Sequence, residues 1–137
     1  MIDLIFDLGV TTGIALMGPN KVYWTDTCVK LLDLGNILDL ARLTYPVDRI
    51  IYEDYIIYAA KARSHINSHV YPIQVIGVIR FLAYTNHIPL VPLQAKVKAS
   101  VPDDRMKKLI PPGKTLTEHE KDAIRLGLYQ QYLDKRA

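Results

Sequence analysis

Carboxylates stand at the ends of two apolar runs, and a third acidic group opens the last segment of the chain. The first run, Ile5-Phe6-Asp7-Leu8-Gly9, reaches Asp7 and passes through Gly9 and Gly13 into a second run, Ile14-Ala15-Leu16. It reads as strand, tight turn, strand, with the glycines expected to take backbone angles that side-chained residues resist. A carboxylate at the mouth of a core is costly unless a cation or hydrogen-bond donors receive its charge. Asp7 is therefore either a turn residue, since Asp and Gly are ordinary hairpin punctuation, or the first carboxylate of a metal or phosphate site.

Arg49-Ile50-Ile51-Tyr52-Glu53-Asp54 repeats the arrangement. Side chains alternate along a strand, so only one of the two acids can face the rim that Asp7 faces. Glu53 is the candidate, and Asp54 is expected in solvent or a loop. The third place is Thr117-Glu118-His119-Glu120-Lys121-Asp122-Ala123. His119 and Asp122, three apart, share one helix face beside the small Ala123, and Glu118 is an additional candidate on that face. Glu120 has a structural explanation, because Thr117 and Glu120 form a capping box; Thr115 with Glu118 is an overlapping alternative. The competing reading of His119 and Asp122 is a surface helix start with its acids favourably placed in the helix dipole.

Brought together, Asp7, Glu53 and Asp122 with His119 would be intolerable as bare charges and natural as a cage for hard divalent cations. Two Mg²⁺ ions about 3.5–4 Å apart would stabilise the attacking water and the departing oxygen of a phosphodiester. That chemistry needs no covalent nucleophile from the protein.

The elements between these stretches must bring them to one rim. Lys21 to Thr25 reads as a third strand after the turn Gly18-Pro19-Asn20. Leu31, Leu34, Leu38 and Ala41 fall at helical spacing within residues 29–43, and Pro46 stops that helix. A crossover helix normally joins parallel neighbours, so the strands ending in Asp7 and Glu53 should lie side by side. A long helix carries Ile73, Ile76, Gly77, Phe81 and Tyr84, a stripe read as core or subunit interface. Pro89 to Pro92 is a short strand near a sheet edge or end, and Pro102, Pro111 and Pro112 divide the stretch after it into short helices.

The chain's 137 residues, half of them hydrophobic, fit one domain, residues 1–137, with a real core. Apolar runs are far shorter than the roughly 20 residues a bilayer requires. The acidic start does not resemble a secretory signal, and the lone Cys28 builds no disulfide framework, so a cytoplasmic location is expected. Charge is unevenly spread: residues 1–60 hold four Lys and Arg against eight Asp and Glu, whereas residues 61–114 hold nine against two. Such a basic segment points to a polyanion partner, or else to a solvated surface. Its candidate DNA-binding residues are Lys61, Arg63, Lys96, Lys98, Arg105, Lys107 and Lys108.

These motifs, in this order, resemble the RuvC-type Holliday junction resolvases of the RNase H-like superfamily, in a compact form of the kind phages carry. The resemblance rests on Asp7-Leu8-Gly9 with Thr12-Gly13, on Glu53 ending the fourth strand, and on His119-Glu120-Lys121-Asp122-Ala123. It implies an α/β, RNase H-like fold with a five-stranded mixed sheet, three antiparallel strands and then parallel strands, flanked by helices. It further implies two Mg²⁺ ions, replaceable by Mn²⁺, at Asp7, Glu53, His119 and Asp122. The implied protein is a homodimer that nicks branched DNA: a four-way junction, or a three-way or flap structure. Lys98, in Val97-Lys98 followed by Val101, matches a family lysine that meets DNA near the cut, and Lys107 or Lys108 matches a second. Tyr55 and Tyr58 are candidates for an aromatic wedge at the junction. The resemblance also implies a location in the bacterial or, for a phage protein, the host cytoplasm.

Two other readings use the same residues. Phe6 to Gly13 also resembles the phosphate-binding hairpin of actin-like ATPases and sugar kinases, which need a second such domain. A non-catalytic nucleic-acid-binding module of the same fold would be free to lose Glu53 or Asp122, and both are present.

Overall fold

The computed structural model describes residues 1–9, 11–54 and 71–137. Three strands, β1 (Asp3–Asp7), β2 (Thr12–Gly18) and β3 (Lys21–Cys28), form an antiparallel meander. Asn20, at a φ of 53°, takes the left-handed turn between β2 and β3, a conformation asparagine tolerates. Helix α1 (Asp33–Thr44) leads to β4 (Arg49–Asp54), which lies parallel to β1. Helix α2 (Tyr71–Thr85) leads to β5 (Leu90–Gln94), parallel to β4. The sheet order is β3-β2-β1-β4-β5, so five strands are mixed as expected.

Alternation along the strands builds a core on each face of the sheet. Leu4, Phe6, Ile14, Leu16, Ile50 and Tyr52 pack against Leu34, Leu38 and Ala41 of α1 and Val75 and Ile79 of α2. Ile5, Ala15, Met17 and Ile51 face the other way, toward Ala123, Ile124 and Leu128 of the final helix α4 (Glu118–Arg136). A 3-10 helix (Ala95–Ser100) and the short α3 (Asp103–Lys107) lie between β5 and α4. No helix among the described residues is long and apolar enough to cross a membrane.

Several boundaries differ from the sequence reading. Helix α1 starts at Asp33, later than the expected start near Val29, leaving Leu32 exposed ahead of it. Strand β5 includes Pro92, opposite Tyr52, instead of ending there. Among the described residues it is an edge strand with β4 as its one neighbour in the sheet, so a residue without an N–H is tolerated. Neither Gly9 nor Gly13 has a positive φ; the described glycine that does is Gly113, at 79°. Proximity is what the hairpin glycines provide. A Cβ on Gly13 would fall on the backbone carbonyl of His119 and close to the Glu120 nitrogen, and one on Gly9 would lie 3.1 Å from His119 Cε1.

Candidate active site

Four segments build the site, and the local rules of each explain the placement. Residues Phe6 and Tyr52 are paired across parallel β1 and β4, so the next residues, Asp7 and Glu53, stand together at the C-terminal ends of those strands. Crevices at the carboxyl ends of parallel strands are the usual ligand sites of open α/β sheets. Strand alternation puts Asp7 with Ile5, and Glu53 with Ile51, on the face covered by α4. Asp54, one residue on, falls on the opposite parity.

Helix α4 starts at the same rim. Its capping box is complete: the Thr117 hydroxyl accepts from the Glu120 backbone N–H, and the Glu120 carboxylate accepts from that of Thr117. The bare Cα of Gly13 lets this first turn rest directly on β2. His119 and Asp122 thereby reach the carboxylates of the sheet. The fourth segment, the 3-10 helix after β5, sends in Lys98.

Lys98 organises the cluster. Its ammonium donates to Asp7 Oδ1 at 2.8 Å and to Glu53 Oε2 at 2.7 Å, and it lies 3.6 Å from Asp122 Oδ2. His119 Nδ1 is 2.8 Å from the other oxygen of Asp7. Asp7 is only 1 % exposed, so the cation and donors that its burial demands are present. Asp122 is held on its far side by Arg125, at 2.5 Å, and Arg125 also meets Asp103 at 3.0 Å.

The charges respond to this crowding. Burial pushes the Asp7 carboxyl up, but its hydrogen bonds to Glu53, Lys98 and His119 outweigh burial and hold it below its ordinary value. Burial and the hydrogen bond shared with Asp7 push Glu53 up to about 7, against the pull of Lys98. Burial works against the Lys98 ammonium, yet its bonds to Asp7 and Glu53 raise its pKa. One carboxylate of the pair thus holds its charge firmly while the other stands near neutrality, the usual outcome when two acids share a site.

Three carboxylates from three segments already converge on one positive charge. Oxygen donors of this kind suit a hard divalent ion, and Asp7, Glu53 and Asp122, with His119 alongside, are the residues that could hold one. Among the described residues no three of His, Cys, Asp or Glu are gathered as a metal cage. The acids are spaced for an ammonium, whose bonds are longer than the roughly 2.1 Å of magnesium–oxygen contacts.

The remaining candidates lie outside this cluster. Glu118 is turned away, bonded to Lys121 at 3.1 Å, with Arg125 4.0 Å from its other oxygen. Lys96, Arg105, Lys107 and Lys108 are exposed on the segment between β5 and α4. Lys61, Arg63, Tyr55 and Tyr58 lie outside the described residues. Lys98, expected to face DNA, points inward, and Arg125 was not among the candidates at all. The signal for Arg125 is its spacing of three from Asp122, and for Lys98 it is the cation that a buried Asp7 requires.

The five-stranded mixed sheet flanked by helices matches the RNase H-like fold of RuvC. T. thermophilus RuvC, solved in complex with Holliday junction substrate, matches with a TM-score of 0.77 over 100% of this chain and 96% of that chain, at 10% sequence identity. The Fowlpox virus resolvase, solved with substrate Holliday junction DNA, matches with a TM-score of 0.55 over 99% of each chain, at 17% identity. No family model matches the chain, and neither does any curated protein sequence.

Proposed function

We propose that this chain is a metal-dependent, structure-selective DNA endonuclease that resolves Holliday junctions or related branched DNA inside the cell. The observation that carries the reading is the convergence of Asp7, Glu53 and Asp122 on a single cation position at the C-terminal rim of β1 and β4. T. thermophilus RuvC and the Fowlpox virus resolvase were both solved with Holliday junction DNA, which supports the choice of substrate. Two Mg²⁺ ions, or Mn²⁺ in their place, would supply the activated water and neutralise the departing oxygen.

The chain's own residues do the rest. Asp7, ionised and buried, is the fixed carboxylate of the site. His119 orients Asp7 through its second oxygen, and Arg125 orients Asp122. Asp7, Glu53 and Asp122 would hold the divalent ions through the oxygens that now face the Lys98 ammonium, and Lys98, freed of those bonds, would be available to a DNA phosphate. Exposed Lys96, Arg105, Lys107 and Lys108 supply further positive charge for the backbone.

The partner in a dimer would be a second copy of this chain. Helix α2 exposes Ile73, Phe81 and Tyr84 along one face, and α1 exposes Leu40 and Leu43. A patch of this kind, with Gly77 leaving open space for close approach, suits a helix-to-helix contact.

A second reading, a binding module without catalysis, draws on the same lysine. Lys98 already neutralises the acids, so the cluster is tolerable with no metal bound. Incubating labelled four-way, three-way, flap and linear duplex DNA with the protein, with and without Mg²⁺, separates the two. The nuclease reading expects Mg²⁺-dependent nicks in branched DNA and little in linear duplex. Equal cutting of linear duplex removes structure selectivity, cutting that survives EDTA removes the metal, and binding without cutting favours the module.

A further inference from the structure

A cavity of about 410 Å³ lies between α3 and the middle of α4, and none of Asp7, Glu53 and Asp122 lines it. Among the described residues it is lined by Val101, Pro102 and Leu128, by Tyr129 and Tyr132, and by Arg105, the one charged residue of that lining. Val101 also lines the neighbouring depression of Lys98, Asp122 and Arg125, so the cavity adjoins the candidate active site. From Asp122 to Tyr129 and Tyr132 the helix rises about 10–15 Å. No step of the hydrolysis uses these residues.

We propose that this cavity takes an unstacked nucleobase of the DNA strand that runs through the active site, within about four nucleotides of the scissile phosphate. The inference rests on the nuclease reading and adds to it a place where sequence or local unpairing is sensed. Its volume falls within the roughly 300–1,000 Å³ of small-ligand sites. The two tyrosine rings, with centroids 6.3 Å apart and planes tilted by 44°, form an open aromatic wedge. Arg136 lies over the Tyr132 ring at 5.5 Å, so the outer side of the wedge carries positive charge. Among the described residues the Arg105 guanidinium has no ion pair and is exposed toward solvent. Aromatic faces, an apolar floor and a free guanidinium together are how single-stranded nucleic acid is held: the base stacks and the cation meets the adjoining phosphate. An apolar peptide would satisfy the floor but leave Arg105 unused.

Photocrosslinking tests this with a junction that carries 5-iododeoxyuridine singly at positions on either side of the mapped nick. The wild-type chain is bound to it in EDTA, which keeps the DNA intact. The expected result is a crosslink to Tyr129 or Tyr132 from one or two adjacent positions. An abasic residue there should weaken binding about fivefold or more. Tyr132→Ala, a change at a half-exposed ring, should weaken binding of the intact junction by a similar factor, Tyr132→Phe should not, and the abasic and Ala changes together should do no more than either alone. Crosslinks that map elsewhere, with a flat abasic scan and undiminished Tyr132→Ala binding, would overturn the base pocket and leave the nuclease reading standing. If the wild-type chain binds no junction at all, the nuclease reading falls first and this inference with it.

Discussion

Within the site, Glu53 and Lys98 are held far from the behaviour of free side chains. Burial beside Asp7 lifts Glu53 from 4.5 to about 7, so the folded chain retains a proton there that the unfolded chain has already released. Its contribution therefore becomes progressively unfavourable as pH rises from 4.5 to about 7, then levels off. In metal-free buffer the Tm of Glu53→Gln relative to the wild type should climb across that interval; a difference that does not vary with pH would show that Glu53 titrates normally. Lys98→Met removes the cation shared by the buried Asp7 and the partly buried Glu53. The metal-free variant should lose a few kcal/mol, less than the roughly 3–5 kcal/mol of a fully buried pair because His119 still serves Asp7. Mn²⁺ should then raise the Tm of the variant more than that of the wild type, since no ammonium competes for the site. Equal Mn²⁺ shifts in both proteins would mean that metal and Lys98 do not share the same oxygens.

At the level of elements, the site depends on α4 lying hard against the meander. Gly13 and Gly127 both sit at that contact, but against different neighbours. A methyl at 13 meets the His119 backbone, which cannot turn aside, whereas one at 127 meets the ends of Ile5 and Met17, which can. Gly127→Ala should cost about 1–3 kcal/mol in denaturant unfolding and keep junction cleavage. Gly13→Ala should abolish cleavage by shifting His119 and Asp122; full activity in that variant would show that α4 tolerates displacement. The same contact marks the limit of what the sequence disclosed. Apolar periods, the acids ending β1 and β4, and the Thr117–Glu120 box were legible because each is a local pattern. Alternation limited the rim to one of Glu53 and Asp54, and the structure puts Glu53 beside Asp7 on Lys98. The use of Gly13 for proximity, and the inward turn of Lys98, depend on how segments more than 80 residues apart meet, and no local pattern records that.

For the molecule as a whole, the uneven charge and the bare helical face divide the surface by role. Lysines and Arg105 cluster between β5 and α4, beside the acidic rim, while Leu43, Phe81 and Tyr84, exposed by 82 %, 65 % and 82 %, lie on the opposite side of the sheet. Two copies joined through α1 and α2 would each keep an active site open to DNA. Light scattering should give a dimer for the wild type and a monomer for Phe81→Glu, with the variant's circular dichroism unchanged because the position is exposed. A monomeric wild type at micromolar concentration would remove that interface from the account.

Everything proposed for this chain depends on Asp7, Glu53 and Asp122 accepting divalent ions in place of an ammonium. Diffraction from crystals soaked in Mn²⁺, collected for its anomalous signal, tests this most directly. The prediction is manganese about 2.1 Å from carboxylate oxygens of these residues, with Lys98 drawn away from them. Crystals in which Lys98 keeps its bonds to Asp7 and Glu53, and no manganese lies among the three acids, would contradict it.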